Sequence, residues 1–386
     1  MYNPRMVKLD KDRYIQDEFT AGEGCTTKVT ASIGTSTSRN SHKEELEKAL
    51  ISVSAGANIV SDHSVTGNIP MFHKTLRTNL SVPLSSLPIY ELSSNYMYKN
   101  KHNISAKEVL ELIETQLFRG INILSLHATI YKKDIIEPIS RNRVIPITSK
   151  GGLMMMEYIN ATKEENPFYA YFDDILKIFK KYNSIISLAP TYRPASVCDN
   201  SMDDNDAHWI EIKRMAFLVE KAIKEEVPIM VEGVGHALMS NIPKYVSETK
   251  KICQNVPYRV LTVSTDIALG YDVIASAIAS SIAALNGANI ITAVTSAEHI
   301  GLPNVKQIEE AVVSAKIAAH SADLCVLDDL SKDMNMSLAR ANIGNCLGAI
   351  EEAIYPNAAK NLFVEFSEGC GMCGDFCALK RAKNGD

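Results

Sequence analysis

The chain has 386 residues, with 40 Lys and Arg against 45 Asp and Glu, which gives a formal net charge of −5. This balance argues against a protein that binds nucleic acid by neutralising phosphates. Apolar residues make up 46% and charged residues 22%, as is typical of a globular protein, so extensive disorder is not expected. The length allows one large α/β barrel with an extension, or two to three ordinary domains.

The start of the chain has no apolar core of the kind found in signal peptides, so we expect a cytoplasmic protein. Residues 273–297 form a stretch of 25 residues without charge, which is long enough to suggest a membrane span. Asn286–Asn289 interrupts this stretch with turn-forming residues. We therefore interpret it as a buried helix over 273–285 followed by a buried strand over 289–295, with no membrane association.

Short runs of apolar and β-branched residues alternate with longer amphipathic stretches. Continuous apolar strands that alternate with helices indicate a parallel sheet covered by helices. Eight such units over roughly 270 residues match a (β/α)8 TIM barrel, whereas no G-x-G-x-x-G motif supports a doubly wound sheet. The predicted strands are Lys28–Gly34, Ala57–Asp62, Pro88–Tyr90, Ile121–His127, Ser184–Leu188, Pro228–Glu232, Arg259–Thr265 and Asn289–Thr295. The predicted helices between them include Lys43–Ser54, Ala106–Arg119, Tyr169–Tyr182, Trp209–Glu225 and Pro243–Gln254.

The remaining segments complete the predicted organisation. Val144–Thr148 is interpreted as an excursion in a βα loop, and Val305–Ala322 and Leu338–Ile354 as helices of a C-terminal extension. We predict an N-terminal arm over 1–26, the barrel over 27–304, C-terminal helices over 305–362 and a Cys-rich tail over 363–386.

Three of the eight cysteines lie close together in the tail, as Cys370, Cys373 and Cys377. Thiols stay reduced inside cells, so this triplet points to metal or redox chemistry. Structural zinc prefers four ligands, whereas three thiolates can hold a [4Fe–4S] cluster and leave one iron open for S-adenosylmethionine. The spacing alone leaves both the cluster and a structural zinc site open. In the zinc site, Cys346 would be the fourth ligand.

Polar residues gather where the predicted strands end, and the chemistry of such barrels lies at the carboxyl ends of their strands. A structural protein has little reason to end nearly every core strand in this way. The residues are Ser32, Asp62, His63, Tyr90, His127, Arg193, Glu232, His236, Thr265, Asp266, Glu298 and His299.

Three short motifs suggest roles for these side chains. Glycines in Glu232–His236 allow a tight turn that directs Glu and His into the mouth of the barrel. His236 and His299 come from separate strands and can bind a divalent metal, although each also fits a hydrogen-bonded core histidine. Ser149–Gly152 offers backbone amides and a lysine to a phosphate, which Arg193 can also clamp.

Taken together, these motifs resemble the phosphomethylpyrimidine synthase family of thiamin biosynthesis, a divergent branch of radical S-adenosylmethionine enzymes. The resemblance extends over about residues 27–378, with the motifs in the same order along the chain. Matching segments include Ala55–Gly67, Met230–His236, Ser264–Tyr271, Val294–Asn304 and the cysteine triplet.

The resemblance implies a carbon–carbon lyase that rearranges aminoimidazole ribonucleotide to hydroxymethylpyrimidine phosphate. It also implies S-adenosylmethionine as cofactor, a flavodoxin- or ferredoxin-class electron donor, and a homodimer in which the tail of one protomer reaches the mouth of its partner. Cys370, Cys373 and Cys377 would hold the [4Fe–4S] cluster, and His236 and His299 a second divalent metal, zinc or iron.

By the same resemblance, Glu232 and His127 would be the catalytic proton-transfer groups. The residues facing the substrate would be Ser32, Ser61, Tyr90, His127, Ser149, Lys150, Gly151, Arg193, Glu232 and Tyr258.

The sequence departs from the family pattern at the predicted substrate contacts. Ser61–Gly67 reads Ser-Asp-His-Ser-Val-Thr-Gly where the family has Met-Asp-Leu-Ser-Thr-Gly, and Thr30–Thr35 replaces Asn-Ala-Asn-Ile-Gly-Asn. Pro190–Arg193 loses the carboxylate of Asp-Gly-Leu-Arg, and Lys150 replaces an arginine whose planar bidentate contact it cannot make. The second gap of the cysteine triplet is one residue shorter than in the family's Cys-x2-Cys-x4-Cys.

The predicted metal ligands are therefore retained while the substrate contacts differ, which leaves the product open. One alternative is the related synthesis of 5-hydroxybenzimidazole for anaerobic cobamides. Another is a divergent paralogue with a different product or with no activity. A third is a barrel metal hydrolase with a structural zinc tail, which would be colourless and stable in air.

Overall fold

The computed structural model describes residues 2–11, 15–39, 41–99, 105–140, 142–342, 346–363 and 372–384. The chain forms two compact units, Met1–Ala322 and Asp323–Asp386. The finer division predicted at residues 26, 304 and 362 stays a prediction. In the described part of the chain, none of the helices combines the length and the apolar character needed to cross a bilayer.

Eight parallel strands of the first unit close into a barrel in the order β10-β3-β4-β5-β6-β7-β8-β9, which confirms the predicted (β/α)8 fold. The barrel strands are β3 Lys28–Ile33, β4 Ile59–Asp62, β5 Leu84–Ser86, β6 Ile123–Leu126, β7 Ile185–Leu188, β8 Ile229–His236, β9 Tyr258–Val263 and β10 Ile290–Thr292.

Helices cover the outside of the barrel and present apolar faces to it. The helix Phe172–Tyr182, for example, buries Phe172, Ile175, Leu176 and Phe179, which recur at helical spacing. The helices of this unit are α1 His42–Ser54, α2 Ile69–Asn79, α3 Pro88–Lys99, α4 Ala106–Phe118, α5 Lys133–Ile136, α6 Lys150–Thr162, α7 Pro167–Ala170, α8 Phe172–Tyr182, α9 Ala207–Lys224, α10 Ile242–Ile252, α11 Asp272–Leu285 and α12 Val305–Val326, whose last residues enter the second unit.

One predicted strand is wrong. Pro88–Tyr90 begins helix α3, and the third barrel strand lies just before it at Leu84–Ser86. Proline is favoured in the first turn of a helix, where its missing N–H costs nothing, and the two serines gave the strand no apolar signature. The uncharged stretch is confirmed as helix α11 followed by strand β10.

An N-terminal hairpin closes the amino-terminal end of the barrel. Strand β1, Met6–Leu9, pairs antiparallel with β2, Phe19–Gly22. Apolar side chains of the hairpin cluster with residues at or near the starts of five barrel strands, Ile59, Ile123, Ile185, Met230 and Ile290. The hairpin therefore fills the end of the barrel opposite to the carboxyl ends of the strands.

The second unit is helical in its described part. Its helices are α13 Ser331–Ala341, α14 Cys346–Glu351, α15 Pro356–Leu362 and α16 Ala378–Asn384. The single helix predicted over Leu338–Ile354 is therefore wrong, since α13 ends at Ala341 and α14 begins at Cys346.

Candidate active site

A cavity of about 210 Å³ opens among the carboxyl ends of the barrel strands. Barrels of this type usually fill their interior with bulky branched side chains. Here small hydroxyl residues, including Ser32, Ser125 and Thr292, line the cavity and leave room for a ligand. Seven of the ten residues predicted to face a substrate also line it, namely Ser32, Tyr90, His127, Ser149, Lys150, Arg193 and Glu232.

Glu232 of β8 contributes a carboxylate to the lining of the cavity. Its Oε1 accepts hydrogen bonds from Ser125 Oγ at 2.8 Å and Ser187 Oγ at 2.6 Å. Arg259 Nη1 lies 3.6 Å from the same oxygen. Burial alone would raise the pKa of Glu232, but the charges of Arg259 and Arg193 and the two serine hydroxyls lower it below its ordinary value. Glu232 is therefore ionised and able to accept a proton.

Arg259 is a cavity residue that the sequence analysis missed. Its guanidinium is buried, and Nε donates to Thr292 Oγ1 at 3.0 Å. The prediction instead named its neighbour Tyr258, which is fully buried and does not line the cavity. Its hydroxyl lies so close to Gly233 of β8 that a Cβ there would collide with it. Successive strand residues point to opposite faces, so only one of these two neighbours can point into the barrel. A charged residue within a core strand is rare, and this was the signal in the sequence that could have identified Arg259.

The Ser149–Gly152 motif forms the start of helix α6. Ser149 is the N-cap, and its hydroxyl accepts from the Gly152 amide at 3.1 Å and lies 2.7 Å from His127 Nε2. Burial raises the pKa of the Tyr90 hydroxyl, and the nearby Gly151 amide opposes this shift. A Cβ on Gly151 would collide with the His127 ring, so only glycine allows this approach. A helix N-terminus beside a lysine suits an anion such as phosphate.

Two cations face the same part of the cavity. Lys150 remains exposed at the rim, and its Nζ lies 4.4 Å above the centre of the Tyr90 ring. Partial desolvation lowers the pKa of Lys150. Arg193 follows β7 and lines the cavity. The arrangement therefore offers an ammonium and a guanidinium to a phosphate at the start of helix α6.

The two histidines of the cavity are neutral. Burial lowers the pKa of His127 to about 4. The charge of Glu232 opposes this shift, and the charge of Arg193 adds a smaller lowering. Burial, Lys150 and Arg259 lower the pKa of His63 to about 3. Ser61 does not line the cavity itself, but its Oγ lies 3.0 Å from His63 Nε2.

The predicted metal ligands lie together at the carboxyl ends of β8 and β10. The rings of His236 and His299 are 5.1 Å apart, centre to centre. Nδ1 of His236 donates to Asp266 at 2.7 Å, and Nδ1 of His299 donates to Asp272 at 2.8 Å. Carboxylates that hold Nδ1 in this way leave Nε2 for a metal, so the pair fits a two-histidine site. Among the described residues, no group of three or more His, Cys, Asp or Glu could hold a metal.

The cysteine triplet is described only in part. Cys373 is exposed and Cys377 partly exposed, and a single 3-10 turn, Gly374–Phe376, separates them. Cys370 lies outside the described residues. Two accessible thiols on either side of one short turn fit the donor set of an iron–sulfur cluster.

A closed barrel with a polar cavity at the carboxyl ends of its strands is the architecture of an α/β-barrel enzyme. Residues 4–384 match the Radical SAM ThiC family. A relative from Desulfotalea psychrophila, named phosphomethylpyrimidine synthase, is 34% identical over 383 residues, covering 97% of this chain and 87% of its own. A relative of the same name from Pyrococcus abyssi is 36% identical over 371 residues, covering 93% and 84%.

The chain therefore belongs to the Radical SAM ThiC family. Membership in a radical SAM family implies a [4Fe–4S] cluster and S-adenosylmethionine as cofactors.

Proposed function

We propose that this protein rearranges aminoimidazole ribonucleotide to hydroxymethylpyrimidine phosphate in thiamin biosynthesis, as a carbon–carbon lyase. The observation that carries the proposal is the 34% identity to a phosphomethylpyrimidine synthase along 97% of the chain. The cavity supports it, because its lining provides an anion site at a helix N-terminus and an ionised carboxylate within one enclosure.

The cofactors are assigned to residues of this chain. Cys370, Cys373 and Cys377 would hold the [4Fe–4S] cluster, and His236 and His299 a second divalent metal, zinc or iron. When bound, the cluster would supply the electron for the reductive cleavage of S-adenosylmethionine to methionine and an adenosyl radical, with a flavodoxin- or ferredoxin-class protein as the electron donor. We also propose that the enzyme is a cytoplasmic homodimer.

The phosphate of the substrate would bind at the start of helix α6. The Ser149 hydroxyl, the helix N-terminus, Lys150 and Arg193 together provide hydrogen-bond donors and two positive charges. Lys150 acts as a point charge, which leaves Arg193 to make the bidentate contact.

Proton transfer would use Glu232 and His127. Glu232 is ionised and therefore accepts a proton from the substrate. His127 is neutral and its Nε2 faces Ser149, while its buried Nδ1 has no hydrogen-bond partner within the described part of the chain. That nitrogen is the candidate contact to the substrate. The closed barrel wall around both residues limits the access of water to the reacting groups.

The experiment is an anaerobic incubation of reconstituted protein with aminoimidazole ribonucleotide, S-adenosylmethionine and a reductant, followed by mass spectrometry. We expect hydroxymethylpyrimidine phosphate. A benzimidazole product would assign the chain to the related cobamide reaction instead, and unchanged nucleotide would refute an activity on this substrate.

The cofactor assignment is tested with a matched pair of cysteine variants. Cys373→Ala should lose bound iron and sulfide and the cleavage of S-adenosylmethionine, whereas Cys325→Ala, which removes another exposed thiol, should retain both. Equal iron and sulfide in the two variants would remove Cys373 from the cluster.

A further inference from the structure

His63 lies in the wall of the cavity, yet neither the family resemblance nor the proposed mechanism gives it a role. It directly follows β4, so it lies at the carboxyl end of a barrel strand. Its imidazole can donate or accept a hydrogen bond there. A polar side chain in the wall of a ligand cavity is a candidate specificity determinant.

Two contacts fix the orientation of the His63 ring. Nε2 lies 3.0 Å from the Oγ of Ser61, which is fully buried in β4. The ring also meets Tyr90 edge-on, with the centroids 5.9 Å apart and the planes at 79°. No described residue pairs with Nδ1, so this nitrogen is available to a ligand.

The charges around His63 define the kind of group it can bind. Burial and the nearby cations Lys150 and Arg259 hold the ring neutral at physiological pH. A neutral imidazole contributes one directional hydrogen bond and no charge, so it suits a heterocycle better than a phosphate. The cations beside the start of helix α6 already serve the phosphate.

The strand order places His63 across the cavity from the strands that lead to Arg193 and carry Glu232, whereas Lys150 lies near its ring. In the closed barrel, β3 and β4 lie opposite β7 and β8. Ser32 of β3 also lines the cavity, and its buried hydroxyl oxygen has no hydrogen-bond partner among the described residues. Ser32 and His63 therefore line the side of the cavity opposite to β7 and β8, where a buried hydroxyl of this kind calls for a partner.

We propose that His63 is a specificity-determining residue that binds the polar edge of the heterocycle of the substrate through Nδ1, beside the Ser32 hydroxyl. Ser61 acts as the positioning residue that holds the ring. This inference rests on the proposed function, because it takes an aminoimidazole nucleotide as the ligand. It predicts that His63 distinguishes this nucleotide from a sugar phosphate without a base.

The test is calorimetric binding to the reconstituted protein, with aminoimidazole ribonucleotide and ribose 5-phosphate as the two ligands. The variants are His63→Leu, His63→Gln and the control His42→Leu, which removes an imidazole stacked on Phe72 outside the cavity. We expect His63→Leu to weaken nucleotide binding about tenfold or more, as for a lost hydrogen bond to a buried group. Ribose 5-phosphate should bind as before, and His63→Gln should recover part of the loss.

Each outcome decides between the two proposals. If the wild-type protein binds the nucleotide and His63→Leu binds it equally well, the role of His63 is refuted and the proposed function stands. An equal loss for both ligands also refutes it, because a general structural or phosphate-binding role would produce that result. If the wild-type protein does not bind the nucleotide, the proposed function fails, and this inference fails with it.

Discussion

Replacing Arg259 by methionine tests how the cavity keeps Glu232 ionised. Arg259 Nη1 lies 3.6 Å from Glu232 Oε1, and the two side chains are only 6% and 15% exposed. At an effective dielectric constant of about 20, unit charges at this distance attract by roughly 5 kcal/mol, which is an upper bound. The serine hydroxyls and Arg193 remain in the variant and still favour the ionised form. We therefore expect the pKa of Glu232 to rise in Arg259→Met because the largest opposing charge is lost.

The sign of the effect on activity follows from the role of Glu232 as a proton acceptor. In the folded wild-type protein, Glu232 stays ionised at pH values below the ordinary pKa of a glutamate, so activity persists as the pH falls. In Arg259→Met the carboxyl takes up its proton at a higher pH, so the acidic limb of the profile of kcat/KM moves toward neutrality. The assay is the consumption of aminoimidazole ribonucleotide under anaerobic conditions over a range of pH.

Arg259→Lys provides the matched control, because it keeps the positive charge and should show a smaller displacement of the acidic limb. The ionisation of the substrate phosphate is common to all three proteins and does not affect the comparison. If the Arg259→Met profile coincides with that of the wild type while the variant remains folded, the coupling of Arg259 to Glu232 does not control the reaction.

Two further substitutions test a close approach and a buried ion pair. Gly151→Ala should weaken nucleotide binding about tenfold or more, because its Cβ would displace the His127 ring, whereas Gly301→Ala has open space at Cβ and should bind normally in the same titration. Arg214→Met should reduce the free energy of unfolding in urea by about 3–5 kcal/mol, because the buried Asp134 carboxylate loses the two hydrogen bonds from Arg214, at 2.6 and 2.9 Å, and keeps the one from the Tyr131 amide. A loss below about 1 kcal/mol would mean that Asp134 is solvated or protonated at little cost.

The fold could be predicted because most of its strands are buried on both faces. Ile121–His127 and Ser184–Leu188 read as continuous apolar runs, and they contain the strands β6 and β7. Leu84–Ser86 escaped detection because two of its three residues are serines, so the strand has no apolar run. The hairpin β1–β2 was also missed, since its strands have four residues each and no strong alternation.

Much of the candidate site could be predicted from one geometric rule, that the carboxyl ends of parallel strands converge. This rule placed His127 and Glu232 in one cavity although 104 residues separate them in sequence. The rule does not specify which of two neighbouring strand residues points inward. Tyr258 was assigned by family resemblance, and an offset of one residue along a strand exchanges the two faces of a sheet, so Arg259 occupies the cavity instead.

The charges of the side chains that line the cavity indicate which kind of ligand group each part of the cavity can bind. Arg259 is paired with Glu232, whereas Lys150 and Arg193 line the cavity without such a carboxylate contact among the described residues. Burial and the neighbouring charges of Lys150 and Arg259 keep the pKa of His63 far below neutrality. Ser32 and His63 therefore present uncharged polar groups to a ligand. If His63 has the proposed role, discrimination between heterocycles at this place depends on the direction of hydrogen bonds, which His63→Leu removes.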